Sequence, residues 1–491
     1  MSEEGLSRRL SPMDAFFLYV DREEQPMNVG GVCIFDGKLP FARLRRHLES
    51  RLHLVPRYRQ RVVFSPLNLG HPTWEDDPDF DIDHHIFRLR IERPGGEEQL
   101  RELASEIFTG TLDRDKPLWE LYCVEGLEGN QTALVLKVHH CMVDGVAGIS
   151  LAFLFLDVVP DAPPKMRKEP YHPKPMPTSG ALLRDALWDG ARGSVKHWLQ
   201  FQRNMRDFGR RFDRNDLLRA LRRFIGTVGG FLLPLKPLPF NAPLAPERLF
   251  TWTAFGYSDA RAIRAMCGGT LNDVVLATVA LAMRLYLGEH YPKALEHRNT
   301  MRVLVPVNVR MDRERAALGN RISFLPVEIP LDIEEPVELL HAIKVRMRQL
   351  KESRVGKAVS LLLDAVQGAP APLQAGVLGA AANPTLQDAL SSVAPLPPAN
   401  MLCTNVPGPH IPLYCLGHRM RTIYPLVPAT LEMGINFGIV SYDQQLMIAV
   451  TADGDAGHDA QIVMDYFDRA FHSLLEATEA QGAKYLEVTR A

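Results

Sequence analysis

One stretch limits what this chain can fold into more than any other: Leu134 to Asp157, LVLKVHHCMVDGVAGISLAFLFLD. Leu134, Leu136 and Val138 alternate with Val135, Lys137 and His139, which is the two-residue period of a β-strand. The strand closes on two adjacent histidines, His139 and His140, and Cys141-Met142-Val143 carries the chain to Asp144-Gly145. Ile149, Leu151, Phe153, Leu154 and Leu156 then predict a buried helix. The pattern is strand, HHxxxDG, helix. Neighbouring strand residues point to opposite faces, so only one of the two histidines can face a given cleft. A neutral imidazole is the usual general base at neutral pH. An aspartate held by a glycine turn fixes the loop and need not touch a substrate. Taken alone, the same letters also suit a strand end followed by a tight turn.

Composition narrows the class. With 491 residues, 46% of them hydrophobic, the chain can bury a large core and divide into two or more domains. A net charge of −2 does not call for a nucleic-acid partner. Its six cysteines (33, 123, 141, 267, 403 and 415) show no CxxC spacing, which argues against a disulfide framework or zinc ribbon and fits a reducing cytosol. The opening residues, MSEEGLSRRLSPMD, lack the apolar core of a signal peptide. No stretch approaches the roughly 18 uninterrupted apolar residues of a spanning helix. Any membrane contact is therefore expected to be peripheral.

Three regions are expected: an α/β domain over 1–165, a proline-rich linker with basic helices over 166–247, and a second α/β domain over 248–491. In the first, Ser11 and Pro12 open a short helix. Residues 26–35 read as a strand interrupted by Gly30-Gly31, 41–52 and 97–108 as helices, and His84-His85 as a strand pair of little functional weight. In the middle region, arginines interleave with Leu, Phe and Trp from 181 to 226. That pattern suits helices with a solvated basic face, or a surface for an anionic lipid interface. FLLPLKPLPFNAPL (231–244) is a second candidate membrane contact. In the last region, Asn272-Asp273 opens a long apolar helix, TNVPGP at 404–409 ends a strand in a turn, and 434–451 reads as a hairpin through Asp443-Gln444.

Five motifs stand in order along the chain: LSPMDAFFL, PLWE at 117–120, HHCMVDG, LNDVVLA at 271–277 and TNVPGP. Each is weak alone, but as a set, spanning about residues 10 to 475, they resemble the bacterial wax ester synthase/diacylglycerol acyltransferase family. HHxxxDG is similar to the signature of the wider chloramphenicol acetyltransferase-like superfamily, which includes peptide-synthetase condensation domains. The resemblance implies two chloramphenicol acetyltransferase-like domains, each a mixed sheet flanked by helices, with a tunnel between them. It implies that His140 is the base and that Asp144, with Gly145, is structural and paired to an arginine of the first domain, for which Arg57, Arg59 and Arg61 are candidates. The long basic segment at 175–245 departs from the family pattern and leaves the membrane-facing surface open.

The residues suit that chemistry on their own terms. An acyl-CoA thioester is already activated, so a hydroxyl can attack it once its proton is removed. No GxSxG elbow is present, and none is needed. One base and one oxyanion donor suffice. The resemblance puts Asn272 at the site, where its amide would donate to the oxyanion; equally, Asn272 could cap a helix beginning at Asp273, with Asp273 structural. His139 is expected to face away and hold backbone. Thr404 and Asn405 either line the substrate tunnel or belong to a turn fixed by its prolines. Cys141 is not expected to act as a nucleophile. No metal is expected: adjacent His139, His140 and Cys141 do not suit zinc, and the twelfth position from Asp453 is Met464, not the glutamate of a calcium loop.

The expected activity is O-acyl transfer from a long-chain acyl-CoA to diacylglycerol or a long-chain fatty alcohol, with no cofactor, in the cytoplasm at the inner membrane face or on lipid inclusions. The alternatives are a shorter, polyketide or glycolipid hydroxyl acceptor, or a non-catalytic condensation-like module that binds acyl chains.

Overall fold

Ser11 begins the first element as its spacing requires. Its hydroxyl accepts the Asp14 N–H at 3.1 Å, Pro12 follows, and helix α1 (Pro12–Val20) buries Ala15, Phe17, Leu18 and Val20. The computed structural model describes residues 8–142, 156–162, 171–188, 235–296, 298–308, 322–352, 372, 376, 399–454 and 460–490. Asp144, Gly145, nearly all of the helix expected after them, and the basic stretch beyond 188 lie outside those residues.

The first half continues with β1 (Asn28–Asp36), α2 (Phe41–Glu49), β2 (Gln60–Val63), β3 (Thr73–Asp76), β4 (Ile86–Arg90), α3 (Glu97–Phe108), β5 (Trp119–Leu127) and β6 (Gln131–His139). β1 runs straight through Gly30-Gly31, contrary to the interruption expected. A Cβ on Gly31 would sit 2.7 Å from the Tyr424 carbonyl, and one on Gly30 would collide with the Leu136 carbonyl. The glycines let neighbouring strands close in and do not break the strand. His84 ends a 3₁₀ turn, Ile82–His84, and only the residues after His85 form a strand.

The second half holds β7 (Arg248–Gly256), α4 (Tyr257–Cys267), α5 (Leu271–His290), β8 (Thr300–Asn308), β9 (Ile322–Pro330), α6 (Pro336–Glu352), β10 (Met401–Pro407), β11 (Tyr414–Cys415), β12 (His418–Leu426), β13 (Ile435–Tyr442), β14 (Gln445–Asp453) and α7 (Ala460–Arg490). Two six-stranded mixed sheets result, ordered β11-β12-β1-β6-β5-β4 and β7-β14-β13-β10-β8-β9. A simple division at 248 therefore needs correcting, because β11 and β12 return to the first sheet. β12 lies antiparallel to β1, with Val32 opposite Tyr424. The Tyr442 hydroxyl of β13 donates to the Met420 carbonyl at 2.9 Å and accepts the Leu413 N–H at 2.8 Å, which ties the exchanged strands back to their own lobe. Periodicity reveals a strand but not the sheet it joins.

Helix α5 is long and apolar enough to cross a membrane, but most of it is buried in the second core against α6 and α7. Asp443 and Gln444 take positive φ (43° and 63°) and turn the β13–β14 hairpin where expected. The loop read as a membrane contact is otherwise placed. Leu238 and Phe240 are 2% and 0% exposed in the second core, and Leu244 is also buried, so these side chains are committed to packing. A helix over 179–188 packs Leu182 and Ala186 inward and leaves Leu187 and Trp188 exposed.

Candidate active site

The backbone of the histidine pair is held from two sides. The His139 N–H donates to the Leu118 carbonyl at 3.0 Å and the His140 N–H to the Met27 carbonyl at 2.8 Å. Leu118 and Trp119 of the PLWE motif are themselves anchored. Trp119 Nε1 donates to the Tyr58 carbonyl at 2.9 Å, and its ring stacks on His85 at 4.6 Å between centroids. β6 ends there, and a 3₁₀ turn, His140–Met142, leads the chain off the sheet.

The two rings have different surroundings. His139 is buried, and its Nδ1 accepts the Cys141 N–H at 3.1 Å. A nitrogen that accepts cannot carry a proton, so a neutral His139 bears its proton on Nε2. That atom lies 3.6 Å from Asp21 Oδ2, an electrostatic contact longer than a hydrogen bond. Asp21, just after α1, also accepts the Met27 N–H at 2.8 Å on Oδ1 and Arg114 Nη2 at 2.9 Å on Oδ2. Burial alone would raise the Asp21 carboxyl, but His139, the Met27 amide and Arg114 together hold it below the usual carboxylate range.

His140 stacks on Phe17 with centroids 3.8 Å apart and planes 21° from parallel. The residue keeps partial exposure, but its Nδ1 is sealed from solvent without a hydrogen-bond partner of ordinary geometry. Burial pulls the ring's pKa down from 6.5 to about 4. Its own backbone carbonyl opposes the shift, and His139 adds to it. At neutral pH the ring is an unprotonated base. Burial also pushes the adjacent Cys141 thiol well above its ordinary range, so the side chain beside the base is a thiol and not a thiolate nucleophile.

Sequence comparison identifies the family. The family model for the wax ester synthase/diacylglycerol acyltransferase catalytic domain matches residues 10–275, and the WS/DGAT C-terminal domain matches 318–475. The chain belongs to the wax ester synthase/diacylglycerol acyltransferase family. It is 32% identical over 484 residues to Rv1760 of Mycobacterium tuberculosis, named as a candidate diacylglycerol O-acyltransferase, covering 96% of this chain and 91% of that protein. Rv3087 of the same organism, named likewise, is 30% identical over 488 residues, covering 96% and 98%. Among solved structures, the wax ester synthase/diacylglycerol acyltransferase from Marinobacter aquaeolei VT8 aligns with a TM-score of 0.64 at 24% identity, covering 96% of this chain and 99% of that one. A starter condensation domain of rhizomide synthetase, solved with C8-CoA, aligns at 0.55 and 13% identity, covering 96% and 94%. The fold is accordingly the chloramphenicol acetyltransferase-like one that HHxxxDG suggested.

The remaining candidate residues sit on α5 and β10 of the second half. Thr270, not Asn272, caps α5. Thr270 Oγ1 accepts the Asp273 N–H at 3.3 Å, and Asp273 Oδ2 accepts the Thr270 N–H at 2.7 Å. This capping box begins the helix at Leu271, earlier than a start at Asp273 allows, and it makes Asp273 structural. Asn272 is thereby released from capping. It is half-buried, and its amide makes no hydrogen bond among the described residues. Among the described residues, no hydrogen bond, ion pair or ring contact joins Asn272 or Asp273 to either histidine. Thr404 and Asn405 lie on β10 beside Gly438 and Ile439 of β13, both half-buried. Gly408 of the same motif packs too closely on the Ser441 carbonyl for any side chain, so the turn residues have a structural reason of their own.

Asp144 lies outside the described residues, and so does the identity of its arginine partner. Arg57 lies over Trp74 at 4.4 Å and donates to Gln60 at 2.9 Å, Arg59 lies over Tyr171 at 4.1 Å, and Arg61 donates to the Asp115 carbonyl at 3.1 Å. Burial lowers the Arg57 guanidinium to about 10, against the raising influence of Asp14 and Cys141. Among the described residues no cluster of three His, Cys, Asp or Glu could hold a metal. Sequence reasoning missed Phe17, Asp21, Met27 and Arg114. Phe17 stands within the first motif, LSPMDAFFL, but no spacing in the sequence joins it to a histidine more than a hundred residues away.

Proposed function

We propose that this family member transfers the acyl group of a long-chain acyl-CoA to the hydroxyl of diacylglycerol or a long-chain fatty alcohol. His140 removes the hydroxyl proton, the oxygen bonds to the thioester carbon, and the carbon–sulfur bond breaks. The proton held by His140 then passes to the leaving CoA thiolate, giving ester and free CoA. No acyl-enzyme forms. The observation that carries this reading is the partly exposed, neutral His140 ring braced on Phe17 beside a protonated Cys141. Asn272, with its amide free of the helix cap, is the proposed oxyanion donor from the second lobe.

Acyl-CoA and acceptor would approach His140 from opposite sides between the lobes, where an apolar passage suppresses thioester hydrolysis. No cofactor enters the scheme. The enzyme would act in the cytoplasm, on the inner membrane face or on lipid inclusions. Exposed Leu187 and Trp188 beside Arg184 supply an amphipathic edge suited to that contact.

The test is a panel of hexadecanol, dioleoylglycerol and short alcohols with palmitoyl-CoA, following CoA release and ester together. Ester from either long acceptor supports the reading. Turnover only with short alcohols moves the activity to a different acceptor. Tight acyl-CoA binding with no ester from any acceptor makes the chain a binding module.

A further inference from the structure

Resting on the acyl-transfer reading of His140, we infer that Asp21 is a positioning residue that sets the tautomer of His139 and through it the turn that aims His140. Three donors converge on one carboxylate: the Met27 N–H at 2.8 Å on Oδ1, and Arg114 Nη2 at 2.9 Å and His139 Nε2 at 3.6 Å on Oδ2. Met27 also supplies the carbonyl that holds the His140 N–H, so Asp21 braces both histidines, one by side chain and one by backbone. Lys137, buried on the same strand face as His139, adds a second cation near Asp21 and is itself close to Glu120. Only an anion that accepts on every side suits such a ring of donors.

The consequence runs through His139. While Nε2–H points at Asp21, Nδ1 is free to take the Cys141 N–H at 3.1 Å. That bond spans His140 and closes the 3₁₀ turn His140–Met142. If the proton moves to Nδ1, the Cys141 amide meets a donor, the turn loosens, and His140 loses its fixed seat on Phe17. Among the described residues no hydrogen bond or ion pair joins Asp21 to His140.

Asp21→Asn tests this with little change of volume. An amide NH₂ must then face either the Met27 N–H or the Arg114 and His139 donors, and a His139 that answers by accepting on Nε2 gives up the Cys141 N–H. The expected result is a kcat lowered about 10- to 100-fold, with KM for palmitoyl-CoA within about threefold, since misplacing a catalytic group by about 1 Å costs on that order. The acid limb of the pH–rate profile should also move up from about 4 towards 6.5 as His140 gains solvent.

Two further variants keep Asp21 and decide the matter even if Asp21→Asn does not fold. His139→Asn places an oxygen where Nδ1 was and should keep the larger share of activity of the two. His139→Gln places its amide where Nε2 was and should lose more. In the His139→Asn background, Asp21→Asn should lower kcat less than it does in the parent, leaving only the share that passes through the Met27 backbone. Unchanged kcat in folded Asp21→Asn, or equal activity of His139→Asn and His139→Gln, overturns the inference. Either result beside an inactive His140→Ala leaves the reading of His140 intact, whereas an active His140→Ala removes that reading.

Discussion

Each sheet carries a buried polar cluster, and the two are satisfied in opposite ways. In the second lobe the cluster is built from neutral amides. Asn400 accepts the Arg302 N–H at 2.9 Å and donates to Asn241 at 2.8 Å, and Asn241 donates to the carbonyls of Asn400 (2.8 Å) and Glu432 (2.9 Å). Asn436 accepts the Leu402 N–H and donates to Pro428 and Met433. Such a network fixes strand ends and has nothing left to offer a ligand. In the first lobe the cluster sets charged Asp21, Arg114 and Lys137 around His139, and it leaves His139 Nε2, His140 Nδ1 and Asn28 Oδ1 buried without a hydrogen bond. Buried groups left short of partners are costly, and native structures keep few of them. Three of them meet where the ends of β1 and β6 pair, beside the ring proposed as the base.

That contrast breaks down if damage to the two clusters has the same consequences. The largest effect is expected from Trp119→Ala, which removes a fully packed indole, its hydrogen bond to Tyr58 and the stack on His85. Thermal or chemical unfolding should show a loss of about 3–5 kcal/mol. Activity per folded molecule should fall with it, because Leu118 next door holds His139. Asn400→Ala strips several bonds from the second cluster and should cost about 1–3 kcal/mol, while kcat per folded molecule stays at the parent value. Equal losses of kcat in the two variants would erase the distinction.

Acid sharpens the comparison further. His71, His85 and His140 are all in the first lobe, and burial lowers each to about 4. The unfolded chain, with ordinary histidines, binds more protons between pH 6.5 and 4, so stability is full above about 6.5 and is lost as pH falls towards 4. Hydrogen exchange at pH 5 should therefore show β1 and β6 losing protection before β13 and β14. The smallest effect is expected of Phe17→Leu, which keeps apolar cover but loses the aromatic face. The acid limb of kcat/KM should rise from about 4, with a change in kcat of under about tenfold.

The legible parts of the molecule were those encoded locally. Ser11-Pro12 opened α1, alternation along Leu134–His139 gave β6, and Asp443-Gln444 turned the last hairpin, because each depends on a few neighbouring side chains. The family, too, could be read from five short motifs. What escaped was set by distant contacts. Nothing near residue 420 says that β12 leaves its own lobe for β1, and nothing near residue 21 says that an aspartate lies under a histidine 118 positions later. Leu238 and Phe240 looked like a membrane loop because their composition is apolar, yet the second core claims them. Thr270 took the cap that had been one of two readings of Asn272, because its hydroxyl and Asp273 satisfy each other reciprocally.

The central claim is that the His140 imidazole takes the proton from the acceptor hydroxyl. Turnover of purified His140→Ala with palmitoyl-CoA and hexadecanol or dioleoylglycerol, with folding verified by circular dichroism, tests it most directly. Loss of about 10²- to 10⁴-fold in kcat, the usual contribution of a general base, is the predicted result. Ester formation within threefold of the parent enzyme would contradict it.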